Sequence, residues 1–274
     1  MYCKADLVRH IRALGIRPSD TVMVHTSLKS LGVIDPEGKT TAEIYIDALR
    51  EVLCDGLLLI PTHTWATVRE NGQEFDVRNS LPCIGAVPTV AVKLAAESYD
   101  AGNRTCLRSL HPTHSLWGSG KGAEDYLRGE ENAPTPGTPG FAWDRLAFVN
   151  AKILLIGVTH NRDTYIHSVE EAGNVPDRIH PEPFEVTIID HNGQEHRHPY
   201  ASHFCSKVPD VSAQYVNFEK PLTELGAQTM GRLGNAEVRI VDARRCREVL
   251  LDIFARTDRD LCLEFMDIPE TLYK

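Results

Sequence analysis

No two cysteines in this 274-residue chain stand at C-x-x-C spacing; its seven (Cys3, Cys54, Cys83, Cys106, Cys205, Cys246 and Cys262) are scattered singly. That argues against a cysteine zinc module and a disulfide framework, and leaves them as small apolar side chains. No apolar run approaches the ~18 residues that a bilayer span needs. The first residues, "MYCKADLVRHIRALG", mix charge with helically spaced apolar residues, unlike a signal peptide, so a cytoplasmic location without a membrane partner is expected. Basic residues are outnumbered, 29 Lys plus Arg against 38 Asp plus Glu, for a formal charge of −9. Nucleic acid is therefore disfavoured as a partner, since phosphate neutralisation needs a basic surface, whereas a cationic small molecule is compatible. Nucleotide fingerprints are missing as well. There is no G-x-G-x-x-G and no G-x-x-x-x-G-K-[ST], and "GSGKG" (118–122) has the wrong spacing. A G-x-S-x-G nucleophile elbow and an H-E-x-x-H metal pair are also missing.

Strand and helix patterns alternate instead. "TVMVH" (21–25), "LLLIP" (57–61) and "KILLIGV" (152–158) read as buried strands. "DLVRHIRALG", "AEIYIDALREVL" and "AVPTVAVKLAAES" have helical spacing, with Gly15 stopping the first and Thr40 or Thr41 capping the second. Residues 63–82 read as a long surface loop over a site, and "GAEDYLRGEE" as a short exposed helix. Asn192-Gly193 within "FEVTIIDHNGQEHRHPY" is a hairpin signal, and "AEVRIVDARRCREVLLDIFAR" is a final strand and helix. The fold class is α/β: a mostly parallel or mixed central sheet flanked by helices, with a long substrate loop and a late hairpin. The chain is expected to form a single domain over 1–274, and the Pro-rich stretch near 133–140 is where it would divide if it divides.

Ligands of such sheets bind beyond the carboxyl ends of the strands. Three strand ends here carry polar groups: His25-Thr26-Ser27, Thr62-His63-Thr64-Trp65 and Thr159-His160-Asn161. After the third come His167, Glu170 and Glu171 at helical spacing, close enough to meet. Spacing alone leaves three readings open. They are ordinary helix surface, a histidine general base steadied by a carboxylate, and a metal site joining His160, His167 and Glu170 or Glu171.

Three blocks carry a resemblance: "VMVHTSLKSLG" (22–32), "RSLHPTHS" (108–115) and "LLIGVTHNRDTYIHSVEE" (154–171). "LLLIPTHTW", "FDV" and "HF" at His203–Phe204 fall in the same order. With them the chain resembles the aminoglycoside 3-N-acetyltransferase family over most of residues 1–220. The resemblance implies transfer of an acetyl group from acetyl-CoA, the co-substrate, to the 3-amine of an aminoglycoside antibiotic, by direct attack and without a metal. It implies His167 as the catalytic base and Glu170 as its acidic partner, with Glu171 left on the surface. For the cofactor it implies His25, Thr26, Ser27, Leu28, Ser30, Leu31 and Gly32, together with Arg108 and Ser109. For the acceptor it points to Trp65, Asn161 and His203, and Glu70 and Asp76 of the 63–80 loop are acidic residues able to meet a polycation. Some relatives are dimers, so a homodimer is expected. The chain departs from the family pattern at Asn161 and Asp163, which look exchanged, and at Cys83, where serine is frequent. The alternatives are a metal-dependent hydrolase built on His160, His167 and Glu170, an N-acetyltransferase for a non-antibiotic amine, and a protein that only sequesters a cation.

Overall fold

The computed structural model describes residues 1–36 and 38–274. Helix α1 (Lys4–Ala13) buries Leu7, Val8 and Ile11, and Gly15 follows it at φ +79°, a conformation that suits glycine. Strand β1 (Thr21–Thr26) leads to helix α2 (Thr41–Val52), where Thr40 and Glu43 form a reciprocal capping box. Strand β2 (Leu57–Pro61) is buried throughout. The segment expected to be a loop holds helix α3 (Trp65–Glu70) and strand β3 (Glu74–Asp76). Helix α4 (Ala86–Asp100), strands β4 (Cys106–Arg108) and β5 (Leu116–Gly120) and helix α5 (Ala123–Tyr126) come next. Helix α5 is not simply exposed, because Ala123 and Tyr126 are buried.

Helix α6 (Ala142–Phe148) and strand β6 (Lys152–Ile156) precede a 3₁₀ turn (His160–Arg162) and helix α7 (Tyr165–Ala172). Asp163 lies before that helix. The hairpin joins β7 (Phe184–Ile189) and β8 (Glu195–Tyr200). A 3₁₀ segment (Val211–Phe218), helix α8 (Glu219–Glu224), strands β9 (Gln228–Leu233) and β10 (Ala236–Asp242), and helix α9 (Ala243–Ala255) complete the fold.

The main sheet has the order β4-β5-β2-β1-β6-β10-β9. Its centre, β2-β1-β6, is parallel, and the flanking strands are antiparallel, so the sheet is mixed. Alternate residues of the central strands feed two cores. Val22, Val24, Leu58, Ile60, Leu154 and Ile156 pack towards α1, α2 and α4. Met23, Leu57, Leu59, Ile153 and Leu155 pack towards α6, α7 and α9. A strand buried on both faces shows a continuous apolar run, which is why these three were legible. A second sheet, β3-β7-β8, covers a smaller core of Val68, Phe75, Val77, Val186, Ile188 and Tyr200.

The Pro-rich stretch is docked onto α7. A methyl group at Gly137 would lie 2.6 Å from Ser168 Cα, so the close approach requires glycine. No helix among the described residues is long and apolar enough to cross a membrane.

Candidate active site

Because β2, β1 and β6 run in parallel, their polar ends open on one edge of the sheet. A cavity of about 740 Å³ lies there, walled by Thr26 and Ser27 at the end of β1, His63 after β2, and Asn161, Thr164 and His167 from β6 into α7. That volume suits a ligand of drug size. Gly157 ties two of these ends together. At φ +63°, its missing Cβ would fall 1.8 Å from Ser30 Oγ.

His160 anchors the turn before α7 and is wholly buried. Its Nδ1 faces Asp163 Oδ2 at 3.0 Å and its Nε2 faces Gln228 Oε1 at 2.8 Å. With both ring nitrogens engaged, His160 cannot join His167 and Glu170 around a metal, which removes the geometric basis of the hydrolase reading.

His167 projects from α7 into the cavity. Its Nδ1 stands 2.5 Å from the Tyr215 hydroxyl and 3.7 Å from Glu170 Oε2. Tyr215 donates its proton to Glu170 Oε2, so the phenol oxygen is left to accept from His167 Nδ1–H. The histidine and the glutamate therefore communicate through a tyrosine. This tautomer leaves Nε2 with a free lone pair. Glu170 Oε1 accepts from Arg178 Nε at 2.7 Å, and Arg178 Nη2 donates to Asp260 at 2.9 Å. Burial raises the Glu170 pKa, but its interactions with His167, Arg178 and Tyr215 outweigh that effect and hold it below its ordinary value.

Four more histidines wall the cavity. Burial brings His25 down to about 4, and holds His63, His114 and His203 well below the usual histidine range. All four are neutral at pH 7. His25 Nε2 and His63 Nδ1 are buried without a hydrogen-bond partner among the described residues. Asp163 and Asp210, Arg69 and Arg162 also line the wall, two acids against two bases among the described residues.

The sequence profile described as aminoglycoside 3-N-acetyltransferase matches residues 23–255, most of the chain. The chain belongs to that family. Its enzyme class is the N-acetyltransferase class expected from the sequence. Aminoglycoside N(3)-acetyltransferase IV from Salmonella is 26% identical across 97% of this chain and 91% of the relative. Aminoglycoside N(3)-acetyltransferase III from Acinetobacter baumannii is 25% identical across 71% and 68%. Among solved structures, AAC(3)-IVa as a histidine-to-alanine variant with apramycin has a TM-score of 0.70 at 24% identity, covering 94% of this chain and 93% of that one. AAC-IIIb with CoASH has a TM-score of 0.72 at 19% identity, covering 90% and 93%. These two show the same mixed α/β fold.

The residues implied by the acetyltransferase resemblance do not all reach the cavity. His25, Thr26, Ser27, Trp65, Asn161, His167 and His203 are on the cavity wall. Leu28 borders an adjoining open groove with Thr40, Cys83 and Thr89, which meets the cavity at Gly85. Ser30, Leu31 and Gly32 sit behind the wall. Ser30 Oγ donates to Ser27 O, Leu31 is buried, and Gly32 packs on Asn235.

Arg108 and Ser109 are not on the wall. Arg108 is buried, donates to the carbonyls of Val77, Ser80 and Thr62, and lies over the Phe75 ring. Ser109 Oγ accepts from Leu116 N–H. Both fasten strands and loops to one another. Glu70 is exposed and does not line the cavity, and Asp76 caps its own turn through Arg78 and Asn79. Glu171, expected on the surface, has a side chain only 7% exposed. It accepts from Thr135 Oγ1 and Gly137 N–H and faces His203 Nε2 at 3.3 Å. Sequence reasoning missed Tyr215, Arg178 and His114. Tyr215 lies 48 residues from His167, beyond any local spacing rule.

Proposed function

We propose that this chain moves an acetyl group from acetyl-CoA to the 3-amine of an aminoglycoside by direct attack, with His167 as the general base. The observation that carries this reading is the His167–Tyr215–Glu170 arrangement, which presents a free Nε2 to a cavity of ligand size. The co-substrate fits the same place. The groove beside Leu28 extends the cavity for a long, flexible ligand.

Acetyl-CoA supplies a thioester carbonyl open to attack by an amine. The rest is the work of the chain. An aminoglycoside amine is largely protonated at neutral pH and has no lone pair until it gives up a proton. His167 Nε2 accepts a proton, a task suited to a group whose ordinary pKa is about 6.5. The positive charge then spreads to Nδ1, where Tyr215, accepting from Nδ1–H and donating to Glu170, links it to the ionised carboxylate. Arg178 and Asp260 hold that carboxylate in place. The neutral histidines on the wall offer polar contacts without adding charge beside a cation. The likeness to AAC(3)-IVa with apramycin and to AAC-IIIb with CoASH supports both ligand assignments.

The test follows free thiol released from acetyl-CoA in the presence of a panel of aminoglycosides and of simpler amines, and maps the acetylated nitrogen by NMR. Release with an aminoglycoside and acetylation at its 3-amine is expected. Release with simple amines alone, or acetylation at another nitrogen, would overturn the reading.

A further inference from the structure

Glu170 and Glu171 are consecutive, yet each holds a different histidine. Glu170 reaches His167 through Tyr215, and Glu171 faces His203 Nε2 at 3.3 Å. The two imidazoles are stacked, with centroids 3.8 Å apart and planes 24° from parallel, and both line the cavity. The socket for Glu171 is built for a carboxylate. Thr135 Oγ1 and Gly137 N–H both donate to it, and a side chain at residue 137 would lie 2.7 Å from Oε1 and block it. A solvated surface glutamate needs no such socket.

The reaction poses a problem that one base does not solve. A protonated amine becomes an amide by losing two protons, while the departing thiolate recovers only one. The second must leave the site. We propose that His203 and Glu171 form a second acid–base pair that carries this surplus proton away, so that His167 serves the other. The inference rests on the acetyltransferase reading above.

His203 Nε2–H donates to Glu171, which leaves Nδ1 as the acceptor. The incoming R–NH₃⁺ gives its first proton to His203 Nδ1. The freed lone pair forms the C–N bond at the thioester carbonyl, and the nitrogen's next proton passes to His167 Nε2. The C–S bond breaks with its electrons on sulfur, His167 protonates that sulfur to the thiol, and His203 releases its proton to solvent. Amine cation and thioester become amide, thiol and H⁺, and the step balances.

Two stacked imidazoles resist carrying charge together, so the proton on His203 must be short-lived. The groups around His203 favour that. It faces His167, His63, His111 and His114 as well as Glu171, and at rest it is uncharged. Glu171 faces Glu170 as well as His203, Thr135 and Gly137, and burial pushes it up to about 7. Below that pH the carboxyl is protonated and gives His203 no support. Rate should therefore fall there for a reason separate from His167.

The experiment compares kcat against pH for the parent, Glu171→Gln, His203→Asn and the double variant, with an aminoglycoside and acetyl-CoA. Glu171→Gln should lose about tenfold in kcat at neutral pH, keep its KM for acetyl-CoA, and lack the acid limb near pH 7. His203→Asn leaves the Thr135 and Gly137 contacts intact and should give the same profile even if Glu171→Gln folds poorly. The double variant should be no worse than either single one. A folded variant with the parent profile, or losses that multiply in the double variant, would overturn the pair. A parent inactive on every aminoglycoside would instead overturn the function on which the inference rests.

Discussion

Tyr215 donates to Glu170 and accepts from His167, so removing one oxygen separates the proposed base from its carboxylate. Tyr215→Phe keeps the ring in its buried place but leaves Nδ1 and the carboxylate 3.7 Å apart with no bridge. We expect kcat to fall by on the order of 10²-fold with little change in the KM for acetyl-CoA, read from steady-state thiol release. Equal loss in both constants would make Tyr215 a packing residue only. Glu130 carries a prediction of a different kind. It is wholly buried, Oε2 has no partner among the described residues, and burial pushes its pKa up to about 8, against the donated Ala142 N–H. A carboxyl whose folded pKa is raised stabilises the fold below its unfolded pKa, and that stability is lost as pH climbs towards 8. Glu130→Gln should flatten this slope and, at pH 9, unfold later in urea by on the order of 3 kcal/mol. At this scale His167 and Glu170 were legible because they share one helix face. Tyr215 was not, since it comes from a distant 3₁₀ segment.

Helix α7 makes contacts of opposite kinds on its two sides. One side buries Tyr165, Ile166 and Val169 in the core. The other holds the two glutamates, one locked by Arg178 and the next by the 133–140 stretch. Arg178 has a side chain only 3% exposed and answers both Glu170 and Asp260. Arg178→Met would leave those acids without their partner in the interior and should destabilise the fold by about 3–5 kcal/mol in chemical denaturation. Adding Glu170→Gln should recover part of the loss, and a strictly additive double variant would show the pair is not coupled. Helical periodicity made α7 readable. The 133–140 stretch has no periodicity, so its docking could not be seen, and the reading of Glu171 as surface failed with it. Strand β9 was missed for a related reason: its central residues are exposed, so it lacks an apolar run.

Across the whole molecule, the site follows from topology. Three parallel strands end together, and the polar residues following each run must meet. That much was legible from three buried runs with polar ends. The antiparallel flanks were not, because short or half-exposed strands do not announce their pairing. Charge was the least transferable reading. The chain carries −9 overall, yet the described wall of the cavity balances two acids against two bases, and Glu70 and Asp76 lie elsewhere. The acidity belongs mainly to the exterior, where it bears on solubility rather than on recognition.

On the function proposed above, a histidine base on α7 takes a proton from the acceptor amine as it is acetylated. His167→Asn tests it most directly, with thiol release measured alongside equilibrium binding of acetyl-CoA. We expect kcat to fall by about 10²–10⁴-fold while acetyl-CoA still binds. A variant that binds acetyl-CoA and turns over within a few-fold of the parent would contradict it.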